Sequence, residues 1–247
     1  MKCHFMTNDS LLSTSAIEAR DRLIFALDVP TLSEARRLVF ELGDAISFYK
    51  LGLEFCMSGD YFELLEELIV AGKKVFADLK FFDVPATVRG AVANLARTGA
   101  TCCTVHGSSS IYSEAVKVNG GMKLLAVTVL TSLDATDLEE LGFKGEVADL
   151  VLARARRAIA AGCAGLICSP QEAALLRREL GHGPLIVTPG IRAASEVGID
   201  DQKRTATLRE AFLNGADHIV VGRPIRKAAA PRAAALAMQA EIAELFA

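Results

Sequence analysis

Two carboxylates and an ammonium fall within Asp78-Leu79-Lys80-Phe81-Phe82-Asp83, at the end of an apolar run. In an extended strand, alternate side chains share a face, so Asp78 and Lys80 project together and Asp83 follows just past the strand end. Charges this close to a buried strand are either paired or have chemistry to do. Lys50 ends a second apolar run, Ile46–Leu51. Lys50, Asp78, Lys80 and Asp83 then form a set whose charges nearly cancel, which lowers the cost of holding them away from water. Such a set is either a salt-bridge network or a site with a lysine poised to move a proton. A lysine flanked by carboxylates stays an ammonium, which suits a general acid and not a Schiff-base nucleophile.

Two further motifs point to a phosphorylated substrate. Thr188-Pro189-Gly190-Ile191-Arg192 and Val221-Gly222-Arg223-Pro224 each follow a short apolar run. In each, a glycine lets backbone N–H groups approach an anion, and an arginine can close on it with two hydrogen bonds. Gln202 lies in the polar stretch Asp200-Asp201-Gln202-Lys203-Arg204, which reads as a loop able to fold over a ligand or as a plain solvated loop. His106 ends another apolar run and reads as a base or as a core histidine. No cluster of His, Asp, Glu and Cys has metal-ligand spacing, and no G-x-S-x-G nucleophile elbow occurs.

The elements that must position these residues alternate in type. Strands are predicted at Leu23–Leu27, Ile46–Leu51, Lys74–Leu79, Thr101–His106, Lys123–Val129, Gly165–Cys168, Leu185–Thr188 and His218–Val221. Helices are predicted at Ser33–Leu42, Tyr61–Ala71, Thr87–Thr98, Ser110–Lys117, Val147–Ala161, Gln171–Leu180, Thr205–Asn214 and Ala228–Phe246. Several of these helices end at a glycine, as C-caps do. Eight strand–helix units in about 225 residues predict an α/β fold, a (β/α)8 TIM barrel forming a single domain over residues 21–247. A doubly wound sheet would want a G-x-G-x-x-G first turn, whereas the first turn here is Leu27-Asp28-Val29-Pro30. A barrel gathers its active site at the C-terminal strand ends. Asp28, Lys50, Asp78, Lys80, His106, Thr128, Thr131, Ser169, Pro189, Gly190, Arg192, Gly222 and Arg223 all fall there.

Composition narrows the class. The 247 residues are 51% hydrophobic, with 27 basic against 30 acidic side chains and a net charge of −3. That balance speaks against nucleic-acid and membrane partners, which favour a basic excess. No apolar run approaches the length of a membrane span. Residues 1–20 read as a disordered or loosely attached leader and not as a signal peptide. None of the six cysteines forms a C-x-x-C pair, and four lie in or beside apolar runs, as in a reduced cytoplasmic protein.

The run Asp78-Leu79-Lys80-Phe81-Phe82-Asp83-Val84-Pro85-Ala86-Thr87-Val88 resembles the signature of the orotidine 5′-phosphate decarboxylase family, in its bacterial branch. The likeness spans residues 22–226. It includes Phe25-Ala26-Leu27-Asp28, Tyr49-Lys50-Leu51-Gly52, Thr104-Val105-His106, Val127-Thr128-Val129-Leu130-Thr131-Ser132 and both glycine–arginine motifs. The resemblance implies cofactor-independent, metal-free decarboxylation of a nucleotide in pyrimidine biosynthesis, with Lys80 protonating C6 of the pyrimidine. It implies that Asp78 faces the substrate carboxylate, that Lys50 holds Asp78 and the ribose, and that Asp28 binds a ribose hydroxyl. Thr131 would meet the pyrimidine amide edge. Pro189, Arg192, Gln202, Gly222 and Arg223 would surround the phosphate. Asp83 and Thr87 would reach the neighbouring subunit's site in a homodimer. Two departures stand out: Gly107-Ser108-Ser109 follows His106 where the family often has Ala, and Leu208 follows Thr207 where Pro is common. Two other readings are a metal-dependent sugar-phosphate barrel, acting through an enediolate, and a catalytically silent barrel.

Overall fold

The computed structural model describes residues 10–192 and 205–247. Among these, eight parallel strands pair in chain order and β8 closes onto β1. They are β1 (Leu23–Ala26), β2 (Phe48–Gly52), β3 (Lys74–Phe81), β4 (Cys102–Val105), β5 (Lys123–Val127), β6 (Gly165–Ile167), β7 (Leu185–Thr188) and β8 (His218–Val221). The fold is the expected (β/α)8 barrel.

The predicted helices are present as α1 (Leu32–Leu42), α3 (Tyr61–Val70), α4 (Pro85–Ala96), α5 (Ser109–Val116), α7 (Val147–Ala160), α8 (Pro170–Leu180), α9 (Leu208–Leu213) and α11 (Pro231–Leu245). Three short helices were not anticipated: α2 (Leu53–Cys56), α6 (Ala135–Glu140) and α10 (Arg223–Arg226). Each is under two turns and too short to show a helical period. Helix α9 is shorter than predicted because Thr207 caps it, its hydroxyl accepting from the Glu210 N–H and its own N–H donating to the Glu210 carboxylate. Leu208 then opens the helix as a buried side chain.

Strand parity builds two cores. Ile24, Ala26, Phe48, Phe76, Cys102, Leu125, Val127, Ile167, Val187 and Val220 fill the barrel interior. Their strand neighbours Leu23, Phe25, Tyr49, Leu51, Val75 and Ala77 pack outward under the helices. Burial on both faces is why the strands read as continuous apolar runs. Continuing the inward parity by two residues carries Phe48 to Lys50 and Phe76 to Asp78, which puts both charges at the C-terminal mouth.

Strand β3 departs from the predicted plain strand. It runs to Phe81, and its pairing with β4 jumps from Ala77↔Cys103 to Phe81↔Val105. Asp78, Leu79 and Lys80 therefore oppose Thr104 alone, a bulge with extra residues on one strand. Lys80 has φ +49°, the left-handed region that an L side chain enters at a cost of about 1–2 kcal/mol.

The opposite end of the barrel is tied by a buried ion pair. Asp217 is fully buried and accepts from Arg177 Nη2 at 2.7 Å and the Ile186 N–H at 2.7 Å. It also accepts from Ser15 Oγ at 2.9 Å and from Ser13 Oγ. Arg177 donates further to the Gly215, Gly181 and Pro184 carbonyls. Within residues 10–20, expected as a loose leader, Ser13 is buried and Arg22 donates to the Ser15 carbonyl at 2.9 Å. Among the described residues, no helix is long and apolar enough to cross a membrane.

His218 begins β8 at this base, with Nδ1 donating to the Asp21 carbonyl at 2.9 Å and the ring edge-on to Phe48. Burial holds its pKa down to about 4. An unfolded chain, with His near ~6.5, takes up the proton first as pH falls. The stability from a neutral His218 is complete above ~6.5 and is lost between there and the folded value. Chemical denaturation is expected to show unfolding free energy falling by roughly 3 kcal/mol through this residue as pH drops across that window. The fall should be shallower in His218→Gln.

Candidate active site

A cavity of about 450 Å³ opens at the C-terminal mouth. Ala26, Phe76, Val127, Ile167 and Val220 floor it, and Asp28, Lys50, Asp78, Lys80, Thr131, Pro189, Gly190, Arg192, Gly222 and Arg223 line it. Ten residues expected from the sequence to form the site thus converge from six of the eight strands.

The charged residues form a line of alternating sign. Lys50 Nζ lies 2.8 Å from Asp28 Oδ1 and 3.5 Å from Asp78 Oδ2, and Lys80 Nζ lies 2.9 Å from Asp78 Oδ1. The expected set of Lys50, Asp78, Lys80 and Asp83 needs correction within one subunit. Asp28, from the end of β1, occupies the fourth place. Asp83 is exposed, with its carboxylate accepting from the Val84 N–H at 2.6 Å, and Thr87 is exposed on α4. Neither lines the cavity. A glycine makes the Asp28–Lys50 contact possible: a Cβ at Gly52 would stand 3.0 Å from Asp28 Oδ1 and 3.1 Å from Lys50 Nζ.

Charge states follow from this packing. Burial opposes the ionised form of Asp78, but Lys50 and Lys80, with hydrogen bonds from Lys80 and Thr104, outweigh it and hold the carboxyl below its ordinary range. Burial likewise disfavours the Lys50 ammonium, and Asp78 and Asp28 outweigh that, raising its pKa. The middle pair is the more buried: the side chains of Lys50 and Asp78 are 10% and 13% exposed, against 39% for Asp28 and 33% for Lys80. Asp28 and Lys80 are the members open to a ligand.

Other expected residues take supporting places. His106 does not line the cavity. Its ring packs edge-on against Phe82, and burial, with Arg154 and Lys80 nearby, lowers its pKa. Gly107 has φ +118°, and a Cβ there would come within 2.8 Å of Phe82, so no side chain can be accommodated there without a shift. Ser169 is buried and caps α8 with Glu172. Gln202 lies outside the described residues. Sequence reasoning missed Arg226, which lines the cavity and donates to the Asp28 carbonyl. It also missed Arg154, which donates to the Thr128 carbonyl at 2.7 Å and stacks over Phe143, bracing the loop that carries Thr131. Both arginines stand in helices, and periodicity cannot distinguish an inward-reaching guanidinium from a solvated one. Among the described residues, no group of three or more His, Cys, Asp or Glu side chains is placed to hold a metal ion.

A family model described as orotidine 5′-phosphate decarboxylase / HUMPS family matches residues 21–238. The chain is 55% identical over 238 residues to an orotidine 5′-phosphate decarboxylase of Methylococcus capsulatus, covering 96% of this chain and 98% of that one. It is 52% identical over 225 residues to one of Xylella fastidiosa, covering 90% and 92%. Among solved structures, the orotidine 5′-phosphate decarboxylase of Lactobacillus acidophilus superposes with a TM-score of 0.79 at 34% identity, covering 90% of this chain and 99% of that one.

Proposed function

The chain belongs to the orotidine 5′-phosphate decarboxylase / HUMPS family, and from that premise we propose that it converts orotidine 5′-phosphate to uridine 5′-phosphate in de novo pyrimidine synthesis, without a cofactor. It is a carboxy-lyase. The observation that carries the reading is the line Asp28–Lys50–Asp78–Lys80 at the mouth of a nucleotide-sized cavity, with Lys80 Nζ 2.9 Å from the carboxylate it flanks.

Loss of carbon dioxide breaks the C6–carboxyl bond and leaves the electron pair at C6, in the plane of the ring, where the π-system cannot spread it. A fixed positive charge at C6 is then worth more in the transition state than in the ground state. Lys80 supplies that charge and gives C6 its proton. Asp78 keeps Lys80 in place and sets a negative charge against the substrate carboxylate. Lys50 anchors Asp78, and Asp28 accepts from a ribose hydroxyl. Thr131 meets the pyrimidine edge. Arg192, Arg223, the backbone at Gly222 and the neighbouring Pro189 grip the phosphate, and Gln202 is assigned to the same group. That remote grip provides binding energy to exclude water from the charges.

The reading includes a homodimer in which Asp83 and Thr87 complete the partner's site. Their exposure, next to the exposed apolar side chains of Phe82 and Val84, supports this. It also includes a cytoplasmic location, in keeping with the free thiols of Cys56, Cys102, Cys103, Cys163 and Cys168.

With a chelator present, the near-ultraviolet absorbance of orotidine 5′-phosphate should fall on adding the enzyme. Lys80→Ala should lose at least about 10⁴-fold in kcat with folding intact. Near-normal turnover in that variant would sink the assignment. Arg223→Ala should raise KM by about 10- to 150-fold, the worth of a charge-assisted hydrogen bond at roughly 1.5–3 kcal/mol. An unchanged KM would reject its phosphate role. Mixing inactive Lys80→Ala subunits with inactive Asp83→Ala subunits should restore about a quarter of wild-type turnover, since half the dimers are mixed and each has one intact site. No recovery in mixtures shown to exchange subunits would reject the shared site.

A further inference from the structure

We infer that Thr104 is a positioning residue for the reaction, holding the Lys80 backbone and the Asp78 carboxylate in register through a single hydroxyl. The inference rests on the proposed decarboxylation for its kinetic consequence and on geometry for its existence.

The bulge in β3 creates the need. Asp78, Leu79 and Lys80 face one residue of β4, so the regular ladder cannot pair all their backbone groups. The Lys80 N–H, displaced by the left-handed turn at φ +49°, donates instead to Thr104 Oγ1 at 2.8 Å. Thr104 Oγ1 in turn donates to Asp78 Oδ1 at 3.0 Å. A hydroxyl has one proton, so accepting from Lys80 and donating to Asp78 is the arrangement that satisfies both contacts. Thr104 is fully buried, so bulk solvent does not reach its hydroxyl to replace either partner. Asp78 Oδ1 also receives Lys80 Nζ at 2.9 Å. The lysine is thereby held at both ends, by its backbone through Thr104 and by its ammonium through Asp78, in a ring closed by the threonine hydroxyl. Removing that hydroxyl leaves a buried N–H unpaired at a strained residue and one fewer donor on Asp78. The lysine then loses the constraint that points its ammonium at the reacting carbon.

Packing and positioning predict opposite orders of effect. Valine keeps the volume of threonine and loses the hydroxyl, whereas serine keeps the hydroxyl and loses a methyl. Positioning through the hydroxyl predicts that Thr104→Val drops kcat by about tenfold or more with KM within about threefold, and that Thr104→Ser stays within about threefold of wild type in both. Wild-type kcat in Thr104→Val, or an equal loss in the two variants, would overturn the inference. Should Thr104→Val fail to fold, Thr104→Ala takes its place against Thr104→Ser under the same criteria. The crystal structure of the hydroxyl-free variant gives a readout independent of turnover. Lys80 leaving the left-handed region, or its Nζ parting from Asp78, is expected, and retention of both would overturn the inference. Should wild-type protein fail to turn over orotidine 5′-phosphate, the functional reading fails, and the crystal structure still decides the role of Thr104.

Discussion

The structure of the mouth depends on four charges cancelling one another where water is scarce. An isolated carboxylate at the place of Asp78 would cost several kcal/mol to bury and would take up a proton instead. Lys50 and Lys80 prevent this from either side, and Asp28 does the same for Lys50. Because the signs alternate, loss of Lys50 would strand Asp28 and loss of Asp78 would strand Lys80. The barrel supplies the geometry cheaply. Each charge stands at the mouth end of a separate strand or the turn after it, apart from the two on β3, and inward parity aims Lys50 and Asp78 at the axis. Gly52 leaves the space in which Asp28 and Lys50 meet.

The two ends of the barrel divide the work. At the base, Arg177 and Asp217 form an ion pair with both side chains almost wholly buried and nearly every polar atom bonded to backbone. That arrangement fixes the closure between β7 and β8 and ties residues 13–15 beneath it. At the mouth, the charges are partly open and the backbone is strained at Lys80. A rigid, satisfied base allows the mouth to keep a left-handed lysine and an incomplete ladder, since strain persists only where its surroundings over-determine it.

The fold was legible because parallel barrel strands are buried on both faces and so appear as continuous apolar runs of the right length and number. The cavity-lining residues were legible for the same reason: a charge or a glycine–arginine pair directly after such a run has only the mouth to go to. Sequence alone points Asp28 to the ribose and not to the charge line, because its contact with Lys50 depends on the space left at Gly52 on the neighbouring strand. Sequence proximity to Lys80 puts Asp83 in the line, because it says nothing of the turn that sends Asp83 outward. The bulge in β3 left no mark at all. Lys80 is not a residue that announces a positive φ, and the hydroxyl of Thr104 that accommodates it stands on the next strand in a run that reads as core. The short helices α2, α6 and α10 fall below the length at which periodicity exists.

The gradient of exposure along the charge line has a consequence for how the site meets a ligand. Lys50 and Asp78, in the middle, gave up most of their water when the chain folded, and their mutual attraction already offsets that loss. Lys80 and Asp28, at the two ends, keep about a third of their side-chain surface open. A ligand that fills the cavity therefore removes water from the outer charges, against an inner pair whose orientation is fixed. Desolvation strengthens the field of Lys80 at any group bound beside it, and no charge needs to be carried into place. A site with all four charges fully buried would have spent that energy on folding. One with all four exposed would have to reorganise water during the reaction.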